Sequence, residues 1–258
     1  MISKTNNLDN FKKATFIADF LSSEEHGLLP GLYSGKIGVA IFLMYAWTIL
    51  GNNEYYQRAA KLTEDAFDYL TLQSHRIIHV HNQVDLSVSD GCTGILLGID
   101  LLTKKNWIGC PWQEVAISLD PMIFGSMMDK LFLGKEKESE ALSIARYAFV
   151  RDTRFAREYL KRFIEEWKTG SSVAFFDAYY SKSTKVAIDA LHRKADVFSV
   201  SNLPPSQWYT IYNGLYRLHL GLADGLAGLG LSLFRGHELY DEDWRFCLPP
   251  RCDIIIKP

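Results

Sequence analysis

Two aspartates come directly before paired glycines, and they are the residues of this sequence best placed to do chemistry. Asp90 precedes Gly91 and Asp224 precedes Gly225, and a second glycine follows each first one three residues later. Two carboxylates at one pocket mouth can act as general acid and base, as in the cleavage of glycosidic bonds. The alternative is structural, because aspartate is a preferred N-cap whose carboxylate accepts hydrogen bonds from free N–H groups. We nominate Asp90 and Asp224 as candidate catalytic residues.

Three other residues are candidates for substrate binding. Tyr33 lies two residues before Gly35, and Arg217 and His219 lie shortly before Asp224. We predict that these side chains contact a substrate. For His219, a partly buried packing role is the alternative.

Three histidines occur close together, but they do not supply a full set of metal ligands. His75, His79 and His81 are followed by Asp85 as the one further local ligand. They are expected in the connection before a buried helix, where histidines usually serve as solvated side chains. The sequence therefore predicts no metal site there.

The four cysteines are too few for a disulfide framework. Cys247 and Cys252 have metal-ligand spacing, and His237 is a third ligand, but a structural zinc site takes four. Cys92 is expected to be a small core residue, although a helix N-terminus there would lower its thiol pKa.

Composition excludes two classes of protein. The chain has 258 residues, a net charge of −2 and 48% hydrophobic residues. A disordered chain would be less hydrophobic and more charged, and a strongly basic nucleic-acid binder would carry a positive excess. No apolar signal-peptide core and no stretch long enough for a membrane span is evident. We predict one domain over 1–258, cytoplasmic, with no nucleic-acid or membrane partner.

The elements that must position these residues are two kinds of helix. One amphipathic pattern begins at Asn53, which is a candidate cap. A second amphipathic pattern spans Thr153–Trp167. Almost wholly apolar helices, which are typical of an interior, are expected within Gly31–Trp47, Asp85–Leu102 and Leu220–Phe234.

A pair of glycines opens each apolar helix, which indicates an internal repeat. The spacing between the second and third pairs leaves room for one degenerate repeat, with its helix at Glu138–Val150. The prediction is an all-α chain of eight to ten helices, in which outer and inner helices alternate around a centre. The pairs are Gly35/Gly38, Gly91/Gly94 and Gly225/Gly228.

These repeats resemble the lanthionine synthetase C family. The resemblance is carried by GLYSGKIGVAIFLMYAW followed by GNNEYYQRAAKL, and by LGLADGLAGLGLSLF. It implies an α/α toroid with a central pocket. A chain of 258 residues would form only part of such a ring. An incomplete ring predicts self-association or a closing partner chain, because apolar helices at an open edge would be exposed.

The family's chemistry depends on zinc, and this sequence departs from it. Family enzymes bind zinc through Trp-Cys and Cys-His pairs, and the metal activates a peptide thiol that adds to a dehydroamino acid. None of the four cysteines here is preceded by Trp or followed by His, and Asp224 stands where the family has His. Together with these departures, the resemblance implies a relative that has no cofactor. This relative would bind a peptide substrate or a partner synthetase. The alternatives are an active cyclase with a rebuilt zinc site and a carbohydrate-active toroid using Asp90 and Asp224.

Overall fold

Helices account for nearly all the regular structure in the described residues. A computed structural model describes residues 4–23, 28–79, 85–130, 138–151, 153–167, 210–212, 215–217, 220–222, 225–235, 237–241 and 243–244. The helices within those ranges are α1 (Lys4–Ser23), α2 (Lys36–Leu50), α3 (Asn53–His79), α4 (Cys92–Lys104), α5 (Trp112–Lys130), α6 (Glu138–Arg151), α7 (Arg154–Trp167) and α8 (Leu226–Leu233). The predicted all-α class is confirmed over these residues.

One small β-ribbon was not predicted. Strands β1 (Thr210–Tyr212) and β2 (Leu215–Arg217) pair antiparallel, with Thr210 opposite Arg217. It forms the only sheet in the described ranges.

The helices pack in two layers. In the first layer α8 packs against α2, α2 against α4, and α4 against α6. In the second layer α1, α3, α5 and α7 pack side by side in chain order, and each also contacts helices of the first layer. Helices of the two layers therefore alternate along the chain from α1 to α7, and a helix is present at Glu138–Arg151, where the helix of the degenerate repeat was expected.

The apolar helices form the core, as their composition predicts. Every residue from Ile37 to Ala46 of α2 and from Cys92 to Leu102 of α4 is buried. Removing this apolar surface from water drives the packing of the two layers. No helix in the ranges given above is long and apolar enough to cross a membrane.

The amphipathic helices match the predicted patterns with three corrections. On α7, Tyr159 and Phe163 are buried, but Phe155 of the same predicted row is 48% exposed. Asn53 is not the cap of α3, because the Oδ1 atom of Asn52 accepts the hydrogen bond from the N–H of Glu54 at 3.0 Å. The helix also continues to His79, so His75 and His79 belong to it rather than to a connection.

Candidate functional site

The three apolar helices that follow glycine pairs begin in the same way. Each has a glycine N-cap in extended conformation, and no side chain caps it. Instead, the loop before each helix folds back, and a carbonyl seven residues earlier accepts a hydrogen bond from an N–H in the first turn. These bonds are Lys36 N to Leu29 O (2.8 Å), Cys92 N to Asp85 O (2.9 Å) and Ala227 N to Leu220 O (3.2 Å). Loop carbonyls thus satisfy donors that a helix start leaves free.

The second glycine of each pair is required by this folded-back loop. A Cβ atom there would lie about 2 Å from the carbonyl oxygen of the residue six positions earlier, far inside van der Waals contact. The distances would be 2.2 Å at Gly38 (to Leu32), 1.9 Å at Gly94 (to Val88) and 2.1 Å at Gly228 (to Leu222). The glycine pairs therefore serve close backbone packing.

The three loops also pack on one another. A Cβ added to Gly31 would lie 2.3 Å from Asp90 Cα, and one added to Gly221 would lie 1.8 Å from the Tyr33 carbonyl oxygen. The third loop thus packs on the first and the first on the second, through a glycine four residues before the N-cap in each case. The Ser89 carbonyl also accepts hydrogen bonds from the N–H groups of Leu32 (2.8 Å) and Tyr33 (2.9 Å). We call residues 28–35, 85–91, 220–222 and 225 the turn row.

Asp90 lies in the turn row, but it is not an N-cap. Gly91 is the N-cap of α4, and the Asp90 carboxylate accepts a hydrogen bond from the Ser34 hydroxyl at 2.7 Å. The hydroxyl of Ser87 accepts hydrogen bonds from the N–H groups of Asp90 (3.3 Å) and Gly91 (3.1 Å). The capping interpretation is wrong for Asp90 because the carbonyls of its own loop already take the helix donors.

The other nominated residues are described only in part. Tyr33 is half-buried in the turn row, on the loop that packs against the loop of Asp90. Arg217 lies in β2, and its side chain lies outside the described residues, as do Asp224 and His219. The pairing of Asp90 with Asp224 as acid and base therefore stays a prediction.

Both described thiols are neutral at ordinary pH. Cys92 is the first residue of α4 and fully buried, and burial, together with the charge of Asp85, raises its thiol pKa to about 12. The predicted lowering by the helix dipole is wrong because burial outweighs it. Burial also raises the pKa of Cys110 to about 11. Cys92 is the small core residue expected from the sequence; Cys247 and Cys252 lie outside the described residues.

Neither described thiol fits a zinc site. The ranges that the structure covers contain no group of three or more histidine, cysteine, aspartate or glutamate side chains that could hold a metal ion. His237 has a local role: its Nδ1 accepts a hydrogen bond from the N–H of Leu239 at 3.2 Å, and its ring packs edge-on against Phe11.

A polar cluster at the other end of the apolar helices was missed. The Tyr45 hydroxyl donates a hydrogen bond to Asp241 at 2.5 Å, and the Lys105 ammonium contacts both Asp241 and Asp243. Burial raises the pKa of Tyr45 well above its ordinary value, and its hydrogen bond to Asp241 raises it further. We call these four residues the clasp. Tyr45 and Asp241 are 196 residues apart, so no local sequence pattern could have joined them.

A second missed cluster joins α5 to α6. The Arg151 guanidinium binds the Asp120 carboxylate, with Nε 2.9 Å and Nη2 2.8 Å from Oδ2. The Tyr147 hydroxyl donates to the same carboxylate at 2.7 Å, and the guanidinium lies 5.2 Å from the centre of the Trp112 ring. Each charge and carboxylate oxygen here has a partner, so this cluster is a structural tie between helices.

The turn row holds two of the residues nominated from the sequence, Tyr33 and Asp90. It brings a half-buried carboxylate, a half-buried phenol and several hydroxyls together at one end of the apolar helices. Backbone carbonyls already occupy first-turn N–H groups there, which leaves fewer of the donors that an anion would need. No protein-family model, curated protein or solved structure matches this chain.

Proposed function

We propose that this chain is a binding relative of lanthionine synthetase C, a helical toroid that holds a peptide or a partner synthetase at its turn row. The observation that carries the proposal is the turn row itself. One loop-on-loop contact occurs twice with the same spacing, through Gly221 and again through Gly31. A contact that repeats head to tail with a constant rotation builds a ring when the rotation closes.

The order of the first-layer helices supports a ring. Helix α8, the last helix of the described residues, packs against α2, the first of the apolar helices, and also against α1. An open stack in chain order would instead leave its first and last helices far apart. The self-association expected of an incomplete ring stays a prediction, and sedimentation velocity of the purified chain tests it.

The sequence favours binding over thioether formation. The Trp-Cys and Cys-His pairs that hold zinc in the resembled enzymes are missing, and Asp224 replaces a histidine of their motif. Without a metal-activated thiolate, the addition of a cysteine to a dehydroamino acid loses the acceleration that zinc supplies in the resembled enzymes. The half-buried polar groups of the turn row still offer a surface for a peptide.

A dehydrated lanthipeptide precursor, labelled with a fluorophore, tests the proposal. Fluorescence anisotropy measures its binding to the full chain, and alkylation followed by mass spectrometry counts its free thiols, because ring closure consumes a thiol without changing mass. We expect saturable binding and a full count of thiols, with or without added zinc. Absence of binding would overturn the proposal that the turn row holds a peptide, and loss of thiols would establish the cyclase alternative.

A pair of variants locates the binding surface. Tyr33→Ala removes a half-buried ring of the turn row, and Tyr56→Ala removes a half-buried ring of α3 that packs against Trp47. We expect weaker binding only for Tyr33→Ala. Circular dichroism of both variants separates this loss from unfolding, and equal affinity of the two would remove the turn row as the binding surface.

A further inference from the structure

Asp90 is an exception among the buried and half-buried carboxylates of the described residues. Among described side chains, every other buried or half-buried carboxylate has a lysine or arginine within ion-pair distance. The pairs are Asp65 with Lys36, Asp100 with Lys104, Asp120 with Arg151, and Asp241 and Asp243 with Lys105. Asp90 is half-buried, and within the described part of the chain its one side-chain hydrogen bond comes from the hydroxyl of Ser34.

The Asp90 carboxylate is also fixed in place. Its Cα lies against the backbone of Gly31, its N–H donates to the Ser87 hydroxyl, and its Oδ1 atom accepts from Ser34. The side chain cannot swing toward a distant cation without breaking the Ser34 hydrogen bond. The second oxygen, Oδ2, has no hydrogen bond or ion pair with any described residue.

A partly desolvated charge that has no opposite charge beside it destabilises the fold. The positive end of the α4 dipole, two residues further on, offsets only part of this cost. A ligand that carries a positive charge would supply the missing partner. Asp90 lies in the turn row, on the surface to which we assign peptide binding.

We propose that Asp90 and Ser34 form a subsite for a primary ammonium group of the bound peptide, either a lysine side chain or the N-terminal amine. This inference rests on the proposed function. An ammonium donates three hydrogen bonds, which Oδ2 of Asp90 and the lone pairs of the Ser34 hydroxyl can accept. A guanidinium fits less well, because its two-pronged contact needs both carboxylate oxygens and Ser34 already occupies Oδ1. A divalent metal fits poorly as well, since it takes about six oxygen ligands.

Chemical acetylation of the peptide tests the subsite. The same dehydrated precursor is compared before and after acetylation of all its primary amines, on the full wild-type chain, on Asp90→Asn and on the control Glu64→Gln. Glu64 is an exposed carboxylate of α3 that is not part of the turn row. We expect acetylation to weaken wild-type binding about tenfold, which is the effect of losing one charge-assisted contact. Glu64→Gln keeps this difference, and Asp90→Asn abolishes it.

The outcomes separate the subsite from the proposed function. Equal binding of native and acetylated peptide to the wild-type chain would overturn the subsite and leave the proposed function standing. If neither peptide binds, the proposed function fails, and titration with putrescine then decides the subsite alone. Putrescine binding that Asp90→Asn removes would support an ammonium subsite for a free amine, and putrescine binding that is unaffected by Asp90→Asn, or absent, would overturn it. Ser34→Ala, which removes the hydroxyl and leaves the carboxylate, should weaken binding of the unmodified peptide by a smaller factor.

Discussion

The two ends of the apolar helices are held together by opposite means. At the turn row, loops approach one another because side chains are missing, and backbone lies directly on backbone. At the clasp, the contacts are made by long side chains, namely a phenol, an ammonium and two carboxylates. Backbone packing has no room for added atoms and no charge to titrate, whereas the clasp depends on charge and tolerates movement of flexible groups. We therefore expect the two ends to respond to different perturbations.

The largest effect is expected from Gly94→Ala. The added methyl would lie 1.9 Å from the Val88 carbonyl oxygen, so the loop must move away from α4. We expect a loss of about 3 kcal/mol in the free energy of unfolding, which is the upper range for overpacking. Urea denaturation monitored by circular dichroism measures it.

Gly125→Ala is the matched control, because Gly125 is also helical but has open space around its Cα. Alanine there should stabilise the protein by up to about 1 kcal/mol through helix propensity. A loss of similar size at both positions would show that the turn row accepts an added Cβ atom as well as an open helix position does.

Tyr45→Phe is expected to have the next largest effect. Tyr45 is fully buried, and its hydroxyl is a hydrogen-bond donor to the Asp241 carboxylate. Losing a hydrogen bond to a charged group should lower the free energy of unfolding by about 2 kcal/mol. In Tyr55→Phe the lost partner, Asp19, is exposed and can bind water instead, so the loss should be under about 1 kcal/mol. Equal losses of the free energy of unfolding in the two variants would show that the Tyr45 hydrogen bond of the clasp stabilises the fold no more than the Tyr55 hydrogen bond does.

Lys105→Met should cost about 1 kcal/mol at low salt, since both of its carboxylate partners are partly open to water. Burial lowers the pKa of Lys105, but the hydrogen bonds and charges of Asp241 and Asp243 outweigh burial, so the pKa is raised. A raised lysine pKa stabilises the fold fully below the ordinary value of about 10.4, and the contribution disappears as pH rises through the folded value.

The stability difference between wild type and Lys105→Met should therefore stay constant from about pH 7 to 9 and shrink above about pH 10. It should also shrink in about 1 M salt. Thermal unfolding across these conditions provides the test. A stability difference that grew with pH would show that the folded protein lowers the pKa of Lys105 instead of raising it.

The smallest effect is expected at Cys92, where the native protein should hardly react with a maleimide. A pKa of about 12 keeps the thiol neutral, and the side chain is fully buried. Raising the pH from about 7 to 8.5 should accelerate labelling of the unfolded chain, whose thiols have ordinary pKa values, but not labelling of native Cys92. Peptide mapping by mass spectrometry resolves the individual cysteines, and rapid native labelling of Cys92 would show that the turn row opens.

Local patterns in the sequence predicted most of the architecture. The buried stripe of α3, namely Tyr55, Ala59, Leu62, Ala66 and Leu70, follows from helical spacing of apolar residues. The glycine pairs correctly marked where α2, α4 and α8 begin, because a position that excludes a Cβ atom is visible as a glycine. The helix expected at Glu138–Val150 is also present, as α6, although no glycine pair opens it.

What the sequence did not predict depends on contacts between distant segments. Asp90 was interpreted as an N-cap because aspartate is common at that position. In the structure, loop carbonyls accept the hydrogen bonds from the helix N–H groups, and the Asp90 carboxylate accepts one from the Ser34 hydroxyl. The thiol pKa of Cys92 was misjudged because its burial comes from tertiary packing. The hydrogen-bond partner of the Tyr45 hydroxyl lies on another segment of the chain, and the sequence around Tyr45 does not predict it.

The position of α8 has a consequence for the growing chain on the ribosome. Helices α1 and α2 emerge early, yet α8, which packs against both of them, begins only at residue 226. Until then their apolar surfaces lack this cover, and the closing contact spans a loop of nearly the whole chain. Incomplete chains that end before α8 should therefore depend on chaperones and be readily degraded.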